Sequence, residues 1–525
     1  MRVLLVIGRQ APPTKARAMQ GFRKLFISAV FTIALSFAPG SHTFRVEQVQ
    51  AAPFDDTTAT SVKGQTGRLP AMPSDAIPEA RMRRYQDLAV RWMQEYLRID
   101  TTNPPGNEIQ AAGWFKRIFD QEGIENRMFV YAPGRANIWA RIPARRAAKR
   151  PIILLNHMDV VSSNPAKWVA PPFSGATVDG AMYGRGAEDM KNEGLAQLMV
   201  MVMLKRERPA MDRDVIFLAT ADEEVEATGT DWMIANQREL LGNAEYLITE
   251  GGDNVEEEGQ TRYVGVSVAE KAPLWLRVVA HGQPGHGSRP IEDSAPNRLL
   301  RALDRILNYR PEPQVQPLVA ELLREVAPYQ SGDRAAQFRN IRQALQDKSF
   351  RESVEDDDSL NYLLRDTISL TMMGGSQQTN VIPSEAWAHL DVRLLPGVDP
   401  QAFLETMRQV VADPNVTIEP LDGFVRANSS PIDSELFAAI RRVAARYFPN
   451  APVLPRLASG YNESQRYRPL GMVCYGFSPY ATTRDEGGTE HGDNERIRVE
   501  QLRRGFRVLY DLVLSIRQSR FGTGL

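Results

Sequence analysis

The sequence predicts a layered α/β domain built on a mixed sheet, interrupted by an inserted α+β sandwich. Three observations predict it. Short apolar runs at Ile152 to Leu155, Val215 to Leu218 and Tyr246 to Ile248 are each bounded by polar or glycine residues, as strands buried on both faces are. Helical spacing alternates with such strands through residue 265. After about residue 266 the order changes. Strands at Ala272 to Ala280, Ile368 to Met373, Ala386 to Leu394 and Val416 to Pro420 are joined through helices at Asn297 to Leu307 and Gln401 to Val411, the order of a mostly antiparallel sheet with helices on one face.

Taken in order, the chain opens on Arg23 and Lys24 before an apolar run from Leu25 to Phe37. Small-residue cleavage patterns follow at Ser36-Phe37-Ala38 and Val49-Gln50-Ala51. Residues 1–52 are therefore expected to be an export signal and leader, which places the protein in the periplasm or outside the cell. The run is short for a membrane-spanning helix, so an uncleaved anchor is the alternative. The basic stretch Met1 to Arg17 ahead of the signal suggests that translation begins at Met19. Residues 53–79, rich in Thr, Ser, Pro and Gly, read as a mobile linker. Helical periodicity starts near Arg81, with Leu88, Ala89, Trp92, Met93, Tyr96 and Leu97 on one face, and opens the first part of the main domain, 80–265. The inserted domain spans 266–420 and carries extra, largely helical sequence at about 311–366, including Leu318 to Val326 and Phe338 to Leu345. The main domain resumes over 421–525. No internal repeat is visible.

Composition narrows the function classes. The 525 residues, 43% hydrophobic and 24% charged, are ordinary for a soluble protein of two or more domains. A net charge of -1 with no sustained basic stripe gives no reason to invoke nucleic acid or an anionic membrane surface. The acidic runs Glu256-Glu257-Glu258 and Glu355-Asp356-Asp357-Asp358 read as solvated loops. The single Cys474, inside the apolar run Met472 to Tyr475, reads as a buried structural thiol and offers no thiolate metal site.

The chemistry lies just past the strands. His157 and Asp159 follow the first, Asp222-Glu223-Glu224 the second and Glu250-Gly251-Gly252 the third, and residues at strand ends converge in space. Two imidazoles, His157 and His491, and three carboxylates can hold two divalent ions if one carboxylate bridges them. Asp189 suits the bridge, because a short arm after the Gly184-Arg185-Gly186 turn reaches between two ions. His157 and Glu250 would complete one ion, Glu224 and His491 the other. Glu223, beside a ligand but unbound, is then placed as the general base for a water shared by the ions. Such ligands accept Zn2+, Co2+ or Mn2+.

The segments Leu154 to Asp159, Tyr183 to Lys191, Ala221 to Val225, Thr249 to Gly252, Glu490 to Ile497 and Asp100 to Glu108 together resemble the M20 family of di-zinc metallopeptidases and aminoacylases, in the family's order and over nearly all the chain after about residue 80. The resemblance implies a metal-dependent hydrolase of peptide or N-acyl amide bonds next to a free carboxylate, with the inserted domain as its lid. It implies that Asp159 orients the His157 imidazole. It implies that His286, in Gly285-His286-Gly287, reaches the partner subunit's site in a homodimer and donates to the oxyanion, and that Asn380 and Arg393 hold substrate. His281 and His389 read as lid structure, and His42 lies in the leader. One loop departs from the family pattern, with Asn462 and Glu463 where Thr and Asp are common, and is expected to reshape the pocket. A binding module retaining the fold is the competing class; the complete set of ligands plus base favours an enzyme, since a retired one has no need of Glu223.

Overall fold

In the computed structural model the described residues are 71–516, apart from 331, 422 and 459. The expected export signal and leader, and residues 53–70 of the expected linker, lie outside them. No helix among the described residues is long and apolar enough to cross a membrane. Residues 71–79 depart from the mobile reading. Pro73–Ala76 forms a 3-10 turn whose Ser74 donates from its backbone N–H and its hydroxyl to the Asp511 carboxylate, at 2.7 and 2.6 Å, with Met72 buried alongside. Two charge-assisted bonds and an apolar contact pin this stretch to the last helix, Val499–Ser515.

The main sheet has ten strands. Its centre is parallel, in the order Val215–Thr220, Ile152–His157, Tyr246–Thr249, Val473–Gly476. Antiparallel strands extend it on both sides, Arg135–Ile142 and Glu125–Ala132 on one and Gln260–Glu270 and Asn254–Glu257 on the other. The apolar runs are continuous because the sheet is covered twice. Ile152 and Leu154 enter one core with the helices Glu79–Leu97, Lys191–Glu207, Glu435–Tyr447 and Val499–Ser515. Ile153 and Leu155 enter a second with Trp139, Met233, Tyr467 and Cys474. Burial pushes the Cys474 thiol up to about 12, which fits an inert core residue.

The inserted domain is a four-stranded antiparallel sheet in the order Thr367–Gly374, Glu385–Leu394, Ala272–His281, Val416–Pro420. Glu385–Leu394 alternates residue by residue between buried and more exposed positions, and the buried set packs under the helices Ala295–Asn308 and Pro400–Val411. His389 lies against the Trp387 ring, and His281 is exposed at a strand end.

The extra sequence is a helical wedge. Pro317–Val326, Asp333–Arg339, Ile341–Ala344, Lys348–Glu355 and Asp358–Leu364 bury Leu323, Phe338, Val354 and Leu363 in a third core, together with Ala269, Leu454 and Leu457 of the main sheet and Leu395 beside the inserted one. Lys271, where the chain passes from one sheet to the other, donates to the carbonyls of Arg365 at 2.8 Å and Tyr362 at 3.3 Å and to the Thr367 hydroxyl at 3.1 Å. The wedge thus grips the crossing point. Neither acidic run is a plain solvated loop. Asp357 caps the last wedge helix through the Leu360 N–H and pairs with Arg334, while Glu256 pairs with Arg498 and Glu257 with Arg484. Helix ends and facing arginines attract carboxylates that composition alone assigns to water.

Candidate metal centre

The C-terminal ends of the parallel strands bring His157, Glu223, Glu224 and Glu250 to one place, and two loops deliver Asp189 and His491 to the same place. His157 is the last residue of its strand and is buried. Its Nε2 lies 3.0 Å from one carboxylate oxygen of Asp189 and 3.3 Å from Glu250. The other Asp189 oxygen lies 2.8 Å from His491 Nε2, which is 3.2 Å from Glu224. One carboxylate is therefore shared between two imidazoles, each with a second acid of its own. Glu223 stands with His157 and Glu250, the three donor atoms within 4.8 Å of one another.

Each of these side chains is held from behind. Asp159 accepts the N–H groups of Glu223 and Glu224, both at 3.1 Å, and its carboxylate approaches His157 Nδ1 at 3.5 Å, while its carbonyl lies 3.1 Å from the same nitrogen. Asn103 bridges Asp159 and Asp222 at 2.8 Å each, and Arg135 ties Asn103 to Glu108. Asp222 has φ 74, a left-handed turn that swings the following two amides onto Asp159. On the opposite side, Glu495 accepts the N–H groups of Gly186, Glu188 and Asp189 at 2.9, 2.7 and 3.1 Å and pairs with Arg185 at 2.6 Å. Arg185 in turn donates to the carbonyls of His491 and Gly492. Sequence reasoning gave no role to Asn103, Arg135, Asp222, Arg185 or Glu495. For all but Arg135 the signal was their position inside the family-like segments; Arg135 lies outside every one of them.

The electrostatics ask for cations. Burial pushes the Glu223 carboxyl well above its usual range, with Glu250 adding to it, and pushes Glu250 up to about 8. Burial raises Glu224 as well. Asp189 is held far below the usual range, against its burial, by the bonds from His157 and His491. Bonds to Asp189 and Glu224 push His491 up to about 10. One oxygen of Glu224 is buried without a hydrogen-bond partner. Two imidazoles and three acids in this arrangement suit a pair of divalent ions, with His157, Asp189 and Glu250 holding one and Asp189, Glu224 and His491 the other.

Asp189, Glu223, Glu224, Glu250 and His491 line a cavity of about 1360 Å³ that also admits Arg393, Trp275, Tyr461 and Asn462. Arg393 is clasped by Asp391 at 2.8 and 3.1 Å, using two of its N–H groups and leaving three. His286 and Asn380 do not line this cavity. They sit together in a two-stranded ribbon, where Gly287 donates to the Asn380 carbonyl and His286 Nδ1 accepts from Ser288. Nε2 is thereby the protonated, donating nitrogen of a neutral His286. Glu463 corrects the expected pocket wall. It is buried behind the cavity, accepting from Thr220 and Thr230, and of the unusual pair Asn462 alone faces the cavity.

The profile of Peptidase family M20/M25/M40 matches residues 153–515. Curated relatives include N-fatty-acyl-amino acid synthase/hydrolase PM20D1 of Bos taurus, 28% identical over 69% of this chain and 74% of its own. Aminoacylase-1 of Homo sapiens is 27% identical over 75% of this chain and 88% of its own. Among solved structures, the metallo-carboxypeptidase Sso-CP2 of Sulfolobus solfataricus superposes with a TM-score of 0.61 at 18% identity, covering 82% of this chain and 99% of that one.

Proposed function

The chain belongs to peptidase family M20/M25/M40 and is a hydrolase, and from that premise we propose that it cleaves the amide bond of an N-acyl amino acid or short peptide beside a free carboxylate. The observation that carries the reading is the Asp189 carboxylate, shared oxygen by oxygen between His157 and His491. Two zinc ions are the proposed occupants, and bound divalent ions would supply polarisation of the scissile carbonyl and acidification of water. Glu223 takes the proton of the attacking water and returns it to the leaving amine. Asp159 keeps Glu223 aimed through its amide. The free N–H groups of Arg393 receive the substrate carboxylate, a planar match for a guanidinium.

The apolar members of the cavity wall, Trp275, Val225, Val425 and Pro273, favour an acyl or apolar side chain on the other side of the bond. The two curated relatives act on acylated amino acids by name, which supports placing N-acyl amino acids first among substrates and dipeptides second. His286 and Asn380 are proposed to serve the site of a second subunit. The edge strand Thr367–Gly374, with Leu370, Met372 and Met373 exposed, supports a homodimer through the inserted domain. Export to the periplasm or beyond is proposed from the N-terminal signal pattern alone. A panel of N-acyl amino acids and dipeptides, assayed with protein reconstituted in Zn2+, Co2+ or Mn2+, tests the reading. Release of a free amino acid is expected. No turnover of any member by metal-loaded protein would overturn it.

A further inference from the structure

One face of the inserted sheet is covered by helices, and part of the other looks into the cavity. On the strand Ala272–His281, Leu274 and Leu276 are buried with the helices Ala295–Asn308 and Pro400–Val411. Pro273 and Trp275, which alternate with them, point the other way and line the cavity. Pro273 stands directly across from Arg393, and Trp275 is two residues further on, about 7 Å along the strand. On the other side of Trp275, the Leu421 N–H donates to its carbonyl at 2.9 Å, extending the pairing of Leu276 with Pro420 by one residue. Side chains directly opposite each other share a face, so Leu421 stands beside Trp275.

This wall is apolar yet open. Trp275, the largest exposed apolar side chain among the described residues, is 42% exposed, and Leu421 equally so. Val225, which follows the proposed ligand Glu224, is 43% exposed and lines the same cavity, as does Val425. Exposed apolar residues scattered singly need no explanation, but three separate segments bring these to one wall. The cavity, at about 1360 Å³, also exceeds the roughly 300–1,000 Å³ of a pocket for a drug-sized ligand. With the substrate carboxylate on Arg393, an amino-acid side chain has a fixed reach and ends near that anchor. An acyl chain has no fixed length, and it leaves from the metal centre, where Val225 adjoins Glu224. We infer that the acyl group is a long hydrocarbon chain rather than an acetyl group, laid along Val225 and Trp275 and out toward Leu421. The inference rests on the N-acyl amino acid reading and names its substrate class.

Metal-loaded full-length protein, assayed on the acetyl, butanoyl, octanoyl and dodecanoyl amides of leucine below their micelle concentrations, tests it. The acetyl amides of alanine and phenylalanine are assayed beside them. kcat/KM should rise along the acyl series by up to about 4-fold per methylene, the equivalent of burying one CH₂, and more steeply than along the side-chain series. Trp275→Ala should flatten the acyl slope, its loss on the dodecanoyl substrate exceeding its loss on the acetyl one by at least about 10-fold, the low end of what burying a large apolar group contributes. Trp275→Phe should keep most of the slope. Because both substrates are read on the same variant, any loss of folded protein cancels. Equal kcat/KM for acetyl and dodecanoyl substrates, or a slope untouched by Trp275→Ala, would overturn the inference and leave the hydrolase reading intact. A preference that follows the amino-acid side chain instead would assign the wall to the released amino acid and overturn it too. No turnover of any member would overturn both the inference and the reading beneath it.

Discussion

Asp189 and His491 are 302 residues apart in sequence and 2.8 Å apart in space. Between them runs the inserted domain with its wedge, and Glu495 and Arg185 tie the loop of one to the loop of the other. With the second Asp189 oxygen on His157, this single aspartate is the hinge of the site.

Asp189→Ala should therefore disturb both ions, whereas His157→Ala or His491→Ala should mainly weaken one, because each imidazole serves one metal. Elemental analysis after dialysis measures it. An Asp189→Ala protein that still holds two tight ions would show that the bridge is misassigned.

Glu495→Ala should lower stability by about 3–5 kcal/mol, since it leaves the buried Arg185 guanidinium without its partner. It also frees three amides of the Asp189 loop. Denaturant unfolding of metal-free protein measures the loss independently of metal affinity. A change below about 1 kcal/mol would mean the pair does not organise the loop.

Lys271 supplies a pH test of the wedge. Burial pushes its ammonium down to about 8 from the ordinary 10.5. The unfolded chain then binds more protons than the folded one between these values, so stability rises with pH across that window and the cost is greatest below pH 8. The difference in Tm between wild type and Lys271→Met should move in favour of wild type from pH 8 to pH 10.5. A flat difference would place Lys271 in contact with water.

The subunit role of His286 is open to complementation. Glu223→Gln and His286→Ala proteins should each be weakly active, the latter by about 10²- to 10³-fold, as when an oxyanion donor is lost. Mixing them should restore part of the activity, because one site of a hybrid dimer holds a good base and a good partner histidine. No recovery after proven subunit exchange would exclude action across the interface.

Much of this was legible in the sequence, for physical reasons. Ile152–His157 announces itself because its first four residues alternately feed two cores, leaving no polar position until Asn156, next to the ligand itself. Glu385–Leu394 announces itself by alternation, since only one face is covered. The helices Lys348–Glu355 and Asp358–Leu364 were hidden by the acidic run at their junction, where Asp357 caps rather than solvates. Glu495 and Asn103 were hidden for another reason. A carboxylate that gathers backbone amides, or an amide that bridges two acids, leaves no periodicity and depends on loops meeting in space. Glu463 misled for the same reason, since nothing in its neighbours shows whether a loop residue faces the cavity or the strand behind it.

The central claim is that Glu223 moves the proton and does not hold the metal, and Glu223→Gln with parallel metal analysis tests it most directly. The variant should retain two ions and lose roughly 10²- to 10⁴-fold in kcat, the usual contribution of general acid–base catalysis. Full activity in a metal-replete Glu223→Gln protein, or loss of the ion shared by His157 and Glu250, would contradict it.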